Sequence, residues 1–586
     1  MNYQKIAPAL LAVYDDYQKQ QHAGLDKHTP AMNVVTSPDN SKPARIVVFI
    51  TCDENASLDH LLREGIEINQ TTGRQRTAIL PIEKLDRLSE EAAVQRITPS
   101  SLLKRTLDKA VERIHLPAFR TQTGLTGQGV IIGIIDSGID TAHPAFAGRI
   151  LRIWDQTLPR SQVAYGRELS PLTDSKDEYG HGSHMAGIAG GDDAAFMGIA
   201  PKAEFVVVKS DFGGGHISDG VRYIFDVAAE LQRPVVINIS LGGHDDPHDG
   251  TDDLSLTINE LLNYNGLPRL GRIVCCSAGN EGEQAIHARL SVGQSEEKTV
   301  RFEVPSAQHD PDNPQAITIA VINGWYSGQD QIDVSVESPS GYRTRYQPVI
   351  TSGMPMDSYL LPEGVLKIFT PGPNPVNGDH NFVITMEPKS AGQPVTPGVW
   401  RLLLRGRAIR QGVVDVWSVD DNRKLVVSFL DNVDHGIKIG SPGASASAVT
   451  VASSISKTGW TDRSGQAHHH EGTLDAISPS SSAGPLRTGG LKPDVTVPGE
   501  WIVSTMAAGS PHPDTLIIDD QHVIQFGTSM SAALMTGVAA LMLEKNPALT
   551  HTQFKAFLKA KSTVPHQATG TFDPLWGYGL LDMLKL

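Results

Sequence analysis

The chain has 586 residues, of which 40% are hydrophobic and 20% charged, with 55 Gly and 37 Pro. This composition excludes a mainly disordered, collagen-like or coiled-coil chain. The formal net charge is −15, from 50 Lys plus Arg against 65 Asp plus Glu. Because so acidic a chain is not attracted to phosphate backbones, we expect no nucleic-acid partner.

Cysteine usage and apolar runs bear on the compartment. The three cysteines are Cys52, Cys275 and Cys276. They are too few for a disulfide framework and are interpreted as buried small hydrophobes. No apolar run reaches roughly eighteen residues, so no membrane partner is expected. The short apolar segment Ile6–Val13 runs into acidic residues at 15 and 16, which favours one face of a helix over a signal peptide. We expect a cytoplasmic protein; secretion without a signal peptide is the alternative.

The N-terminal region is predicted to hold a helix and a linker over residues 1–43 and a compact unit over residues 44–116. The unit has predicted strands at Arg45–Ile50, Gly65–Asn69, Arg76–Leu80 and Ala93–Ile97, and helices marked by Leu58, Leu61 and Leu62 and by Ile82, Leu85 and Leu88. This β-α-β-β-α-β order is the ferredoxin-like order.

Residues 117–288 have a different hydrophobic pattern, in which continuous apolar runs alternate with helical stretches. The runs are Val130–Ile135, Phe205–Val208, Val235–Ile239 and Ile273–Cys276, and the helices are Ser218–Leu231 and Leu254–Leu262. Such strands predict a parallel sheet that is buried on both faces. The same hydrophobic pattern is present over residues 438–586, with predicted strands at Ala448–Ala452 and Asp494–Val497 and a long helix from Ser531.

Residues 289–437 interrupt that pattern with short strands separated by Pro, Gly, Asn and Asp. The predicted strands are Lys298–Val304, Ala316–Val321, Gln331–Glu337, Val365–Thr370, Asn381–Glu387, Trp400–Arg405, Gly412–Val419 and Leu425–Phe429. We interpret this region as an antiparallel β-sandwich inserted into the α/β domain.

Three segments carry the residue types that acyl transfer requires. Asp136 ends an apolar strand, at the sheet edge where catalytic groups of open α/β sheets gather. His181 begins a helix of small residues, and Ser529 lies in the first turn of an apolar helix. A serine hydroxyl becomes a nucleophile when an imidazole takes its proton, and a carboxylate orients that imidazole. The chain order Asp-His-Ser is that of subtilisin.

These segments resemble the active-site motifs of the subtilisin-like serine proteases, the subtilases of peptidase family S8. Ile273–Gly282 resembles the family segment whose Asn amide donates to the oxyanion, which implies that role for Asn280 together with the Ser529 N–H. Val236–Gly243 resembles the wall of the first specificity pocket, and Ser210–Gly215 the edge strand that pairs with substrate. The implied substrate-binding residues are Gly213, Gly214, Gly215, Ser240, Leu241, Gly242, Ala278 and Gly279.

The resemblance also carries expectations for the whole chain. It implies a subtilisin-like parallel sheet with helices on both faces and places the N-terminal unit where the family has an inhibitory prodomain. Pro397–Trp400 and Gln411–Trp417 resemble the jelly-roll insertion of the clostridial germination-protease branch. We expect an autoprocessed serine endopeptidase that acts on proteins or peptides without a cofactor. An acyl transferase and a regulatory pseudoprotease on the same fold are the alternatives.

Several further residues bear on the site or on metal binding. Ala533 stands where the family usually has Pro, and Ser183 where Thr is commoner. No calcium loop can be assembled from the sequence, so no metal is expected. His468–His470 with Glu471 could bind zinc, but an exposed loop is preferred because no fourth ligand is indicated. Asp174, Asp177 and Glu178 could line the cleft and favour basic substrates; a solvated acidic loop is preferred. His184 is expected to be a core or loop histidine.

Overall fold

The structure is a computed structural model. It describes residues 2, 5, 6, 10, 13, 14, 17–19, 34, 35, 43–53, 55–68, 75–99, 108–158, 166–170, 172, 175–306, 319–352, 354–389, 395–419 and 425–585. It divides into two compact units, residues 1–105 and 106–586. Within the residues described, no helix combines the length and hydrophobicity that crossing a membrane requires.

The first unit is built on an antiparallel sheet. Its elements are β1 (Val34–Val35), β2 (Arg45–Cys52), β3 (Glu67–Ile68), β4 (Gln75–Pro81), α1 (Leu85–Glu90) and β5 (Val94–Pro99), with 3-10 helices at Asp59–Glu64 and Ile82–Lys84. Strand β2 pairs with β4 and with β5, and β3 pairs with β4. The order β5-β2-β4-β3 is the ferredoxin-like sheet that the sequence predicted. Its first helix is a 3-10 helix that ends at Gly65, in the left-handed conformation.

Both predicted boundaries of this unit differ from the structure. Leu10, Val13 and Tyr17 are buried in the same core as the strands, so the division at residue 44 separates residues that pack together. At the other end, α2 (Asp108–Arg113) and α3 (Leu116–Thr123) belong to the second unit. Ile114 and Phe119 are buried in its core. Their packing partners are distant in sequence, which local patterns do not reveal.

The second unit begins with alternating strands and helices. These are β6 (Ile131–Asp136), β7 (Ile150–Asp155), β8 (Arg167–Glu168), α4 (His181–Gly190), β9 (Glu204–Lys209), α5 (Gly214–Glu230), β10 (Val235–Ile239), α6 (Asp253–Leu262), β11 (Asn263–Tyr264), β12 (Leu267–Pro268) and β13 (Arg272–Ser277), with a 3-10 helix at Pro144–Phe146.

The middle of the unit contains ten strands, in agreement with the predicted inserted sandwich. They are β14 (His287–Ser291), β15 (Glu297–Val304), β16 (Ala320–Tyr326), β17 (Gln331–Glu337), β18 (Met356–Leu361), β19 (Gly364–Phe369), β20 (His380–Glu387), β21 (Gly398–Ala408), β22 (Val413–Ser418) and β23 (Ser428–Phe429). They form a six-stranded sheet, β14-β22-β16-β20-β19-β18, and a four-stranded sheet, β17-β21-β15-β23. An apolar core holds residues from both sheets.

Two strands of the sandwich have no counterpart among the predicted strands. Strand β14 starts at His287, before the predicted boundary at 289. Strand β18 is an edge strand whose residues, apart from Leu361, are partly or fully exposed, so it lacks the alternation that would have predicted it.

The remainder of the chain completes the α/β part. Its elements are β24 (Val449–Ile455), β25 (Gly459–Thr461), β26 (Ala467–His469), β27 (Val495–Glu500), β28 (Ile502–Thr505), β29 (Ile517–Asp519), β30 (His522–Gln525), α7 (Thr528–Lys545), α8 (His551–Lys561), β31 (Ser562–Thr563) and β32 (Leu580–Leu581), with 3-10 helices at Asp514–Leu516 and Met583–Lys585.

Seven parallel strands form the centre of the main sheet, in the order β27-β24-β13-β10-β6-β9-β7. Successive side chains of a strand point to opposite faces. Ile132 and Ile134 pack with residues of α4 and α7, whereas Ile131 and Ile135 pack with residues of α5 and α6. The sheet is therefore covered by helices on both faces, which confirms the predicted fold and explains its continuous apolar strands.

Candidate active site

Two short polar contacts join Asp136 and His181. Asp136 is the last residue of β6 and is fully buried. His181 is the first residue of α4, and its Nδ1 lies 2.8 Å and 2.9 Å from the two carboxylate oxygens of Asp136. This places an N–H on Nδ1 and leaves Nε2 able to accept a proton.

Gly182 allows the start of α4 to lie close to the end of β6. A Cβ on Gly182 would lie 2.2 Å from the carbonyl oxygen of Gly138, which is closer than any side chain tolerates. The N–H of Gly182 donates to the hydroxyl of Ser137 over 2.9 Å. Gly182 thus lets the start of α4 pack directly on the turn that follows β6.

The carboxylate of Asp177 also fixes the start of α4. Its carboxylate accepts hydrogen bonds from the Ser137 hydroxyl, the Gly180 N–H and both the N–H and hydroxyl of Ser183, all at 2.8–2.9 Å. Asp177 is buried, so the solvated acidic loop predicted here is wrong at this residue. Glu178 is exposed and pairs with Lys209. Asp174 lies outside the described residues.

The surroundings of His181 act on its pKa in opposite directions. Burial lowers the pKa, and the negative charge of Asp136 with its hydrogen bond raises it; the net effect is a pKa above the ordinary value of 6.5. The charge of Asp177 adds to the increase. The imidazolium form is therefore stabilised, as a group that must accept a proton requires.

Ser529 is the second residue of α7 and is buried. Its hydroxyl donates to the carbonyl of Ser240 over 3.4 Å. The structure shows no hydrogen bond between Ser529 and His181, both of which lie in the described part of the chain. The two side chains nevertheless line one cavity, described below.

Asn280 is positioned by the residue that precedes the serine. Its Oδ1 accepts from the N–H of Thr528 over 2.9 Å and from the Thr528 hydroxyl over 3.0 Å. Gly527 has a φ of 133°, and a Cβ there would lie 3.0 Å from Asn280 Oδ1. Since Oδ1 is occupied, Nδ2 is the end of the amide that is left to donate to a ligand.

A cavity of about 280 Å³ brings these groups together. It is lined by His181, Asn280, Leu516, Gln525, Phe526, Ser529 and Met530. Phe526 is 49% exposed and packs on Trp501 at 4.6 Å between ring centroids. Leu516 and Gln525 carry no signal in the sequence, because they reach the cavity only through the folding of the β28-β30-β29 sheet and the 3-10 helix before β29.

None of the predicted substrate-binding residues lines this cavity, but two of their three segments adjoin residues that do. Ser240, Leu241 and Gly242 follow β10, and Ala278 and Gly279 precede Asn280. The expectation that Gly213–Gly215 form an edge strand is wrong. Gly213 is the extended residue before α5, and Gly214 and Gly215 are in its first turn, so this backbone is committed to a helix.

His184 and His468 each contact another residue of the chain. His184 is buried in α4 with Nε2 3.2 Å from the Val523 carbonyl oxygen, and burial lowers its pKa to about 3. His468 lies in β26, paired with β25, and contacts Asp462 over 2.7 Å. The exposed loop predicted for residues 468–471 is therefore a hairpin strand up to His469, and only His470 and Glu471 lie in an exposed loop. Over the ranges that the structure describes, no group of His, Cys, Asp and Glu is arranged to hold a metal ion.

Comparisons with known proteins agree with this geometry. A family model described as "Subtilase family" matches residues 127–358 and 378–579. Subtilisin-like protease PopC of Myxococcus xanthus is 29% identical over 182 residues, which cover 28% of this chain and 36% of that protein. Serine protease AprX of Bacillus subtilis is 29% identical over 211 residues, covering 33% and 43%. The match thus spans about two fifths of the length of these relatives.

A solved structure extends the similarity beyond the α/β part. The CspB protease of Clostridium perfringens aligns with 81% of this chain and 95% of its own, with a TM-score of 0.65 and 22% identity. At this identity the likeness is one of fold.

Proposed function

The chain belongs to the subtilase family, and we propose that it is a serine endopeptidase working through Asp136, His181 and Ser529. The observation that carries the proposal is the contact of His181 Nδ1 with the buried Asp136 carboxylate, in a cavity shared with Ser529 and Asn280. A carboxylate, an imidazole and a hydroxyl in this relation are the groups that nucleophilic acyl transfer needs.

In the proposed reaction, bound substrate draws the Ser529 hydroxyl from the Ser240 carbonyl toward His181. Ser529 Oγ attacks the scissile carbonyl while His181 Nε2 takes the hydroxyl proton. The same proton then passes to the leaving amine, and water hydrolyses the acyl-enzyme. Asp136 keeps the proton on Nδ1 and stabilises the imidazolium, which agrees with the raised pKa of His181.

The developing oxyanion needs donors that are already in place. Asn280 supplies Nδ2, whose direction is set by the two bonds from Thr528 to Oδ1. The Ser529 N–H lies in the first turn of α7, where the backbone N–H groups have no partner within the helix. We assign these two donors to the oxyanion.

Product analysis tests this function against an acyl transferase. The purified chain is incubated with a peptide and a primary amine, and the products are identified by mass spectrometry. We expect the free carboxylic acid of the N-terminal fragment. An amide of the added amine as the main product would replace the endopeptidase by a transferase, and no product from a broad peptide library would favour the pseudoprotease.

We also propose that the first unit is an inhibitory prodomain removed by autoprocessing. It folds around its own core, as a separable inhibitor must. From the sequence alone, the cleavage is expected between Ile97 and Arg120, in the stretch that follows the last strand predicted for the N-terminal unit. Because α2 and α3 are packed into the second unit, we narrow the proposed site to the segment between Ile97 and Asp108.

A further inference from the structure

The segment between β10 and α6 connects the predicted substrate wall to the inserted sandwich. It starts with Ser240–Gly242 and continues through a turn in which His244, Asp246 and His248 are buried. His248 has a φ of 54°, and its N–H donates to Asp246 Oδ1. The turn is thus a defined structure rather than a free loop.

Asn323 of the sandwich holds the backbone of this turn. Its Nδ2 donates to the carbonyl of His244 over 3.2 Å and to that of Asp246 over 3.0 Å. Asn323 lies on β16, on the face opposite Ile322, which packs in the sandwich core. A buried amide that satisfies two buried carbonyls is costly to remove.

A stack of rings makes the second connection. His248 lies parallel to Trp417 at 4.0 Å between centroids, and Trp417 lies on His287 at 4.7 Å. Trp417 is fully buried, and its Nε1 donates to the carbonyl of Ile437. In the sheet register, Trp417 is opposite both His287 and Asn323, so these three side chains are neighbours on adjacent strands, and Trp417 and Asn323 contact the turn.

Two polar contacts connect His248 to the segment that carries Asn280. His244 Nδ1 lies 2.9 Å from His248 Nε2, and His244 Nε2 lies 3.4 Å from a carboxylate oxygen of Glu281. Glu281 directly follows Asn280 in the chain. Burial lowers the pKa of His248 well below its ordinary value, so this ring is neutral at physiological pH. The rings therefore link the sandwich to both segments beside Ser529.

We propose that Trp417 and Asn323 are positioning residues for the substrate cleft. They hold the turn after Ser240–Gly242 and, through His244, the segment that carries Asn280. The inserted sandwich thereby sets the spacing of the two walls between which a substrate side chain would lie. This role rests on the protease function proposed above, but the placement of the turn can be measured without it.

The test compares two tryptophans of the same sandwich. Trp417→Leu removes the stack, whereas the matched control Trp400→Leu opens a similar cavity in the core of the sandwich, where Trp400 is buried beside Phe302. We expect Trp417→Leu to lower kcat/KM for peptides by about 10- to 100-fold, the effect of misplacing groups by ~1 Å, and to weaken discrimination between residues before the scissile bond. Trp400→Leu should stay within about twofold of wild type, because the stack is intact.

Native-state hydrogen exchange provides the second measurement. Backbone amides of residues 240–252 should exchange roughly tenfold faster in Trp417→Leu than in Trp400→Leu, since a stacked pair is lost. Asn323→Ala, a smaller change, serves if Trp417→Leu does not fold. Equal exchange and equal kinetics in the variant and its control would overturn the positioning role. If wild type cleaves no peptide, the protease proposal fails, and the exchange comparison alone decides the positioning role.

Discussion

Ser240 and Ser529 are hydrogen-bonded in both directions. The Ser240 hydroxyl donates to the Ser529 carbonyl over 3.1 Å, and the Ser529 hydroxyl donates to the Ser240 carbonyl over 3.4 Å. The Asn238 side-chain amide donates to the Ser240 hydroxyl and accepts from the hydroxyl of Thr536, which lies seven residues beyond Ser529 in α7. The position of the proposed nucleophile is thus defined by β10 as well as by its own helix.

Ser529→Ala should reduce peptide hydrolysis by about 10⁶-fold, the loss seen in subtilisin itself, because no other hydroxyl replaces the nucleophile. A fluorophosphonate probe should label wild type and not the variant. The matched control is Ser531→Ala, two residues along the same helix, whose hydroxyl donates to the Val497 carbonyl. It should lose ~1 kcal/mol of stability and keep its labelling. Labelling of Ser529→Ala would contradict the assignment.

Asn280→Leu should lower kcat by roughly 10²- to 10³-fold, as the equivalent loss does in subtilisin, with little change in KM, since the amide is assigned to the oxyanion and not to bound substrate. Thr528→Val should have a smaller effect of several-fold, because it removes one of the two bonds that orient the amide. Steady-state kinetics of both variants on one peptide check this. A raised KM with unchanged kcat would make Asn280 a binding residue.

The pH profile should report His181. Only its neutral form can accept the serine proton, and its raised pKa means that more of it is protonated at a given pH. The acid limb of kcat/KM should therefore lie above pH 6.5, and activity should increase as pH rises through it. In Asp136→Asn the charge that raises the pKa is gone while burial still lowers it, so the residual activity, reduced by about 10⁴-fold, should have its limb at lower pH. An unmoved limb would mean that another group controls it.

Asp177→Ala should destabilise the fold by about 3 kcal/mol, because four buried donors lose a charged acceptor. Urea unfolding measures the loss. Its neighbour Glu178 is the control: its exposed carboxylate pairs with Lys209, and Glu178→Ala should cost no more than ~1 kcal/mol. Similar losses in the two variants would show that Asp177 does not hold the start of α4.

Autoprocessing should cut wild type between Ile97 and Asp108 and leave Ser529→Ala intact. A self-supplied segment has a high effective concentration at the cleft, so it should inhibit until it is cut. N-terminal sequencing of both purified proteins after incubation provides the answer. An uncut wild-type chain that hydrolyses peptides at full rate would exclude the inhibitory prodomain and leave the protease assignment in place.

Local patterns in the sequence were sufficient for the fold class. Continuous apolar strands between helices predicted the parallel sheet, because a strand buried on both faces cannot alternate. Short alternating strands predicted the sandwich, and motif order predicted which residues belong to the site. Asp136, His181, Ser529 and Asn280 are brought together in the structure as that order suggests; their catalytic roles stay predictions.

Only the tertiary structure decided features that depend on residues far apart in the chain. Asp177, which the sequence predicts to lie in a solvated loop, is buried because Ser137 and the start of α4 supply its hydrogen-bond donors. Gly213–Gly215 lead into a helix instead of forming an edge strand. The contact of Trp417 with His248 joins the inserted sandwich to the α/β part of the second unit. Each depends on which surfaces meet after folding, and hydrophobic periodicity along the chain carries no information about that.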